Sequence, residues 1–238
     1  MSTVSTEQDL AGSAPFPAGL ACAAYGVFHA GDVPAQLPRD ERRALAVEAE
    51  AALTSIQGVA VRGTYDTTGY RPDADLMVWL AGPDPDAVQD ALAALRRTSL
   101  GLALRPFWSA IGIHREAEFN KTHQPAFFAG EPARRYLCVY PFVRTPEWYL
   151  LAPEQRRDML AEHGQMGRDY PDVRANTVSA FGLGDYEWLL AFEAEELVRI
   201  LDLIRHLRGS EARRYTKTEL PFITGVRKPL GEILDAWP

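Results

Sequence analysis

The order of hydrophobic patterns predicts an α+β fold: two βαββαβ units, each ferredoxin-like, in one chain of 238 residues. Three observations carry this. The same succession of strand-like and helix-like stretches occurs in both halves. The strand runs are short, apolar and bounded by Asp, Gly and Pro. The helical stretches show an apolar stripe between charged residues. Residue-by-residue similarity between the halves is faint, so the repeat rests on element order. Two such units packed sheet against sheet make a dimeric α+β barrel with helices outside.

Residues 1–18 are rich in Ser, Ala, Pro and Gly and read as a flexible N-terminal arm. The N-terminal half, 19–115, opens with a strand at Ala23–His29, and a helix pattern follows from Pro38 to Ser55. Val59–Tyr65 and Asp75–Ala81 read as an antiparallel pair, Pro85–Thr98 as a helix, and Leu104–Ile113 as a closing strand. A linker, 116–133, has no strong period and carries His123; long loops in compact domains are usually functional or disordered. In the C-terminal half, 134–238, Arg135–Arg144 is a strand and Pro153–Gly167 a helix with Pro in its first turn. Val173–Phe181 and Tyr186–Glu193 are strands across a Gly182-Leu-Gly-Asp185 turn. Glu195–Arg208 is a helix and Leu220–Val226 a last strand.

Composition narrows the function. A chain of this length buries roughly 70–75% of its unfolded surface, enough for a core without staples. The net charge of −7 argues against nucleic acid or an anionic membrane as partner of the whole molecule. No stretch approaches a membrane span, and no Lys or Arg precedes Arg39 as a secretory signal would require. Cys22 and Cys138 sit in apolar surroundings without a CxxC spacing, which predicts buried reduced thiols in a cytoplasmic protein. P-loop, GxGxxG, HExxH, nucleophile-elbow and zinc spacings are all missing from the sequence.

The candidate chemistry gathers between Asn120 and Ser210. His163 shares a helical stripe with Met159 and Met166, and Gly164 and Gly167 adjoin it, leaving room for a flat group. It reads either as an axial imidazole to iron flanked by apolar sulfur side chains, or as a core histidine bonded to a carbonyl or part of a fraying helix end. His123, before Gln124-Pro125, reads either as a base aimed into a cavity or as a solvated loop residue. Tyr140 alternates with Cys138 and Phe142 on one strand face, placing it on the barrel interior as a redox relay or simply as core. Trp148 shares that ambiguity. Arg144 lies on the Tyr140 face and either takes a ligand carboxylate or reaches solvent. Ser210 sits among Arg205, Arg208, Arg213, Arg214 and Lys217, a basic cluster suited to an anionic ligand or to a solvated helix end. His29, His114 and His206 read as structural or surface residues.

The strings Tyr140-Pro-Phe-Val-Arg144, Glu147-Trp-Tyr-Leu-Leu151, His163-Gly-Gln-Met-Gly-Arg168 and Asp185-Tyr-Glu-Trp188 together resemble the chlorite-dismutase-like family. Within it they are most similar to the coproheme decarboxylases of actinobacterial type. Arg62-Gly-Thr-Tyr65 and Asp73-Ala-Asp-Leu-Met-Val-Trp79 extend the likeness over nearly the whole chain past the arm. The resemblance implies His163 as proximal iron ligand, Tyr140 as the radical-bearing tyrosine and His123 as distal histidine. It also implies Trp148 as a pocket residue and Arg144 near a propionate. Relatives that dismutate chlorite carry a distal arginine where Ala175 stands here, which counts against that chemistry.

The implied substrate is iron coproporphyrin III, both substrate and redox centre, with haem b as product and hydrogen peroxide as oxidant. His123 would move the peroxide proton. Tyr140 would yield an electron, and its radical would take a hydrogen from a propionate that leaves as carbon dioxide and a vinyl group. The family further implies a homopentamer and a transient contact with ferrochelatase. Alternatives of other classes are a haem carrier or sensor without turnover, and a chlorite dismutase-like or cofactor-free monooxygenase activity.

Overall fold

The computed structural model describes residues 22–31, 37–116, 118–119 and 124–237. The N-terminal arm and His123 therefore lie outside the described residues.

In the first half, β1 (Cys22–His29) is flanked by β3 (Leu76–Gly82) and β4 (Arg105–Ile113), and β2 (Ala60–Asp66) lies beyond β3. All these pairings are antiparallel. Helices α1 (Arg39–Thr54) and α2 (Pro85–Arg97) cover one face, and the short α3 (Ser99–Ala103) follows α2 directly. Asp84 starts α2 by accepting a hydrogen bond from the Asp86 amide at 3.0 Å, with Pro85 in the first turn. Thr98 then ends α2 and caps α3 in one step, its hydroxyl oxygen accepting from the Gly101 amide.

The second half repeats the arrangement. Here β5 (Tyr136–Arg144) pairs with β7 (Trp188–Ala194), β7 with β6 (Arg174–Ser179), and β5 on its other side with β9 (Ile223–Arg227). Over this sheet lie α4 (Pro146–Leu150), α5 (Pro153–Gly167) and α6 (Leu197–Leu207). After α6 come a 3-10 turn at Glu211–Tyr215 and a three-residue strand, β8 (Thr216–Thr218), which pairs with the end of β5. The chain then returns to the first half as α7 (Leu230–Ala236), packed on α1. The short elements α3, α4, β8 and α7 escape the sequence reading because runs of three to seven residues hold too few periods to register.

The halves meet edge to edge. Strand β2 pairs with β9 through Tyr65–Arg227 and Asp66–Val226, and β4 meets β6 at Ile113–Ser179. These contacts run β1, β3, β2, β9, β5, β7, β6 and β4 into a closed circuit. Inside it pack Tyr25, Tyr65, Met77, Trp79, Leu137, Val139, Leu189 and, from the linker, Phe127 and Phe128. Outside, one apolar layer joins the first-half strands to α1, α2 and α7, and another joins the second-half strands to α6. Strands buried on both faces read as continuous apolar runs rather than alternation, as Cys22–His29 does. Cys22 and Cys138 are both free and buried, as their apolar settings predict.

The described end of the linker, 124–133, is anchored to distant strands although its sequence shows no period. Asn176 accepts from the Phe127 amide at 2.9 Å, and Arg62 donates to the Glu131 carbonyl at 2.8 Å. Both anchors are polar contacts with distant strands, which no local pattern encodes.

Candidate active site

The alternation of β5 decides the site. Leu137 and Val139 point into the ring, so Cys138, Tyr140 and Phe142 point out, toward α5 and α6. This corrects the sequence expectation that Tyr140 faces the barrel interior. A period of two tells which residues share a face, but not which side of the sheet that face is. Tyr140 is buried, with Phe222 stacked on it at 4.4 Å between ring centroids and Phe192 at 6.1 Å. Burial holds its phenol well above the ordinary tyrosine range. Nearby Cys138 and Glu219 add to this, while Arg208 and Arg213 pull the other way. The side chain is therefore a neutral phenol at neutral pH.

Between this strand face and the helices is a cavity with about 540 Å³ of atom-free space, part of it open to solvent. Tyr140, Phe142, Arg144, His163, Ser210 and Glu219 line it, together with Arg208 and Arg213. Helix α5, which brings His163, fully buries none of its side chains, as suits a helix that spans an opening rather than packing on a core. Pro153 starts it, and the Gln155 side chain reaches back to accept from the Ala152 amide. A Cβ on Gly164 or Gly167 would meet no atom within 4 Å, so the space beside both is open.

Among the described residues the His163 ring is oriented by the contact of Nδ1 with Ser210 Oγ at 3.3 Å. Ser210 gives its hydroxyl hydrogen to the Leu207 carbonyl at 3.0 Å. Its oxygen therefore accepts from Nδ1–H, and Nε2 keeps a free lone pair. Burial, seconded by the positive charge of Arg144, lowers the imidazole pKa against a smaller upward pull from Glu162. A neutral ring with an available Nε2 is the form that ligates a metal.

Arg144 is held beside it. Its Nη1 donates to the Ala212 carbonyl at 2.8 Å, and its backbone amide donates to Glu187 at 2.7 Å. The guanidinium stacks 4.2 Å from the Trp148 ring centroid. Trp148, expected in the lining, stands one layer back, because α4 turns it under Arg144 and against Tyr215. Met159 and Met166 are half-buried on α5 but do not line the cavity; Met166 reaches toward Gly209. A shared helix face does not put the three side chains at one height: Met159 lies about 6 Å and Met166 about 4.5 Å along the axis from His163, and only His163 lines the cavity.

The basic cluster divides as well. Arg208 and Arg213 line the cavity with Glu219 between them, whereas Arg214 pairs with Glu211 outside. Glu219 escaped the sequence reading, since a lone Glu after a Thr-Lys-Thr run has no signature; only the pairing of β8 with β5 brings it here. Ala175 lies in β6 opposite Phe192, and its carbonyl accepts from the Ala126 amide. Of the other histidines, His114 is buried against Phe128, and His206 packs on Tyr170. The His29 ring nitrogen accepts from the Gly31 amide.

Comparison with known proteins identifies relatives over most of the chain. Residues 42–228 match the chlorite dismutase family. The coproheme decarboxylase of Mycolicibacterium smegmatis is 55% identical over 183 residues, covering 76% of this chain and 79% of that protein. Among solved structures, chlorite dismutase from Candidatus Nitrospira defluvii in complex with imidazole superposes with a TM-score of 0.79 at 23% identity, over 91% of this chain and 94% of that one. A variant of that enzyme in complex with cyanide gives 0.80 at 23% identity, with the same coverage of both chains. No helix among the described residues is long and apolar enough to cross a membrane. With a match spanning most of its length and a relative identical at more than half of the aligned positions, the chain belongs to the chlorite dismutase family.

Proposed function

We propose that this protein is a coproheme decarboxylase, using hydrogen peroxide to convert two propionates of iron coproporphyrin III to vinyl groups and so form haem b. One observation carries the reading: His163, with Nε2 free, shares a cavity with a buried neutral Tyr140 and three arginine side chains. That set offers an axial ligand, an oxidisable ring and cations for carboxylates in one place. The balance per propionate is simple. A hydrogen leaves the β-carbon, carbon dioxide leaves the chain end, and two electrons are released. One peroxide takes up both electrons with two protons and becomes two waters.

The residues divide this work. His163 holds the iron of the substrate through Nε2, its ring fixed by Ser210. Tyr140 gives up an electron together with its proton, since burial disfavours the phenolate. The resulting radical takes the β-hydrogen of a propionate brought against it. Arg144 is braced by Trp148 and Ala212 to hold a propionate in place. Met159 and Met166 supply apolar support along α5. His123 serves as the base that moves the peroxide proton, and the neutral Ala175 is consistent with a distal side that lacks the arginine of the chlorite-dismutating relatives. The same reading carries a cytoplasmic homopentamer and a transient contact with the ferrochelatase that makes the substrate.

Mass spectrometry tests the proposal directly. Protein loaded with iron coproporphyrin III and titrated with hydrogen peroxide should lose two carboxyl groups in succession and yield haem b. A tetrapropionate that survives excess peroxide unchanged, while still bound through a histidine, would make the protein a carrier and refute the enzymatic reading.

A further inference from the structure

Three side chains from three separate elements meet at one edge of the cavity. Arg208 stands at the C-terminal end of α6, Arg213 in the 3-10 turn, and Glu219 directly after β8. Both arginines converge on the same carboxylate oxygen of Glu219: Arg213 at 2.9 Å, and Arg208 through its Nη1. Glu219 is mostly buried, with its side chain 16% exposed, while the arginines are open at 37% and 38%. All three line the space that holds Tyr140 and His163.

The arrangement needs an anion at its centre. Without the Glu219 carboxylate, two guanidinium groups would face each other across the position of a single oxygen, and like charges so close repel. A propionate is the same functional group as a glutamate side chain, differing only in what it is attached to. Whatever carries carboxylates into this cavity meets two arginines already ion-paired with a protein carboxylate. Arg144 is held differently, by an aromatic ring and a backbone carbonyl, and among the described residues its guanidinium meets no such competitor.

Building on the coproheme reading above, we propose that Glu219 is a stand-in carboxylate: it occupies the place of a substrate propionate between Arg208 and Arg213, and the substrate displaces it on binding. The exchange puts a propionate where the Glu219 carboxylate stood, so the two guanidinium groups beside Tyr140 keep an anion between them while Glu219 swings toward the open side of the cavity. That matters because Glu219 and both arginines act on the Tyr140 phenol. It also makes the grip on the ligand depend on how many carboxylates the ligand carries, since a porphyrin that cannot displace Glu219 loses two cationic contacts. The two arginines thereby favour the carboxylate-rich substrate over the carboxylate-poor product, and Glu219, as their competing carboxylate, sets how tightly that substrate is held.

The test measures binding without turnover, using metal-free coproporphyrin III and its tetramethyl ester, followed by fluorescence quenching. Wild-type protein should prefer the acid to the ester. Glu219→Gln should tighten binding of the acid by about tenfold, the low end for releasing a close charge pair to a new partner. It should leave the ester unchanged and make acid binding fall more steeply with salt. Glu219→Asp, which keeps the charge but shortens its reach, should lie between. Equal or weaker acid binding by Glu219→Gln with an unchanged melting temperature would make Glu219 a structural strut and overturn the inference. If Glu219→Gln does not fold, Glu219→Asp decides, and wild-type or weaker binding there has the same consequence. A wild type that binds acid and ester alike would instead strike at the coproheme reading itself, and this inference would fall with it.

Discussion

Arg62→Ala should cost this protein a large part of its stability, and the structure supplies the magnitude. Glu193 is fully buried and the Arg62 side chain is 7% exposed. One carboxylate oxygen of Glu193 accepts from Arg62 Nε at 3.0 Å, Arg62 Nη2 at 2.8 Å and Asn176 Nδ2 at 2.9 Å. The other accepts from the Arg134 amide at 3.0 Å. Arg62 also stacks over Trp79 at 4.9 Å and holds the Glu131 carbonyl. Removing the guanidinium leaves a buried carboxylate with two neutral donors, which costs about 3–5 kcal/mol. For a chain of this size each kcal/mol lowers the midpoint by about 2–4 °C, so the expected drop is about 6–20 °C. Arg62→Lys keeps the charge but not the fork and should fall between. Replacing the pair together, Arg62→Met with Glu193→Leu, should recover only part of the loss. The Arg134 amide and one N–H of Asn176, whose other N–H still meets the Ala191 carbonyl, would then lack their acceptor, at about 1–3 kcal/mol each. Circular dichroism melts and urea titrations read all four proteins. An Arg62→Ala melt within about 2 °C of wild type, less than the shift from a single kcal/mol, would refute the claim that this pair ties the linker to the ring.

Further outcomes follow from the site. His163→Ala should weaken iron coproporphyrin binding and remove the histidine signature from its absorption spectrum; a wild-type spectrum would rule His163 out as the ligand. Tyr140→Phe should bind the porphyrin normally yet release no carbon dioxide on addition of peroxide, because it keeps the ring and loses only the phenolic hydroxyl, with the proton that leaves on oxidation. Haem b formed at the wild-type rate would move the radical elsewhere, with Trp148 next in line. His123→Ala should slow the reaction with peroxide by at least about tenfold at neutral pH, with affinity little changed, given that a positioned base is worth about 10²–10⁴ in rate. Stopped-flow mixing between about pH 5 and 9 tests this, since a protonated imidazole accepts no proton. A flat profile together with an unimpaired variant would leave His123 a spectator. Asp66→Asn probes the seam between the halves, where Lys228 Nζ lies 2.7 Å from the carboxylate. Burial raises the Asp66 pKa, but hydrogen bonds from Lys228 and Thr68 outweigh it and the net shift is downward. The stabilisation from this carboxylate is thus present above the ordinary value of 3.8 and disappears as pH falls through the lower folded value. The variant should melt below wild type at pH 7 and converge with it in strong acid; a gap that persists there would exclude the ion pair as its cause.

The sequence by itself determined the element order, because long strands and helices write their period into ten or more residues. Cys22–His29, Arg39–Thr54 and Pro153–Gly167 fall within a residue or so of where pattern and caps put them. It also brought His163, Tyr140 and Arg144 forward as candidates, through local motifs of uncommon residue types. The tertiary structure alone decided which side of the sheet Tyr140 faces, that Ser210 meets the His163 ring across 47 residues, and that Trp148 stands behind Arg144 rather than in the cavity. It alone put Glu219 between Arg208 and Arg213, and bound Phe127 and Glu131 of the linker to Asn176 and Arg62. Each of these is a contact between distant segments made by one or two polar atoms. Periodicity records how a segment divides its own surface between core and solvent, and it carries nothing about which distant partner completes a hydrogen bond or an ion pair.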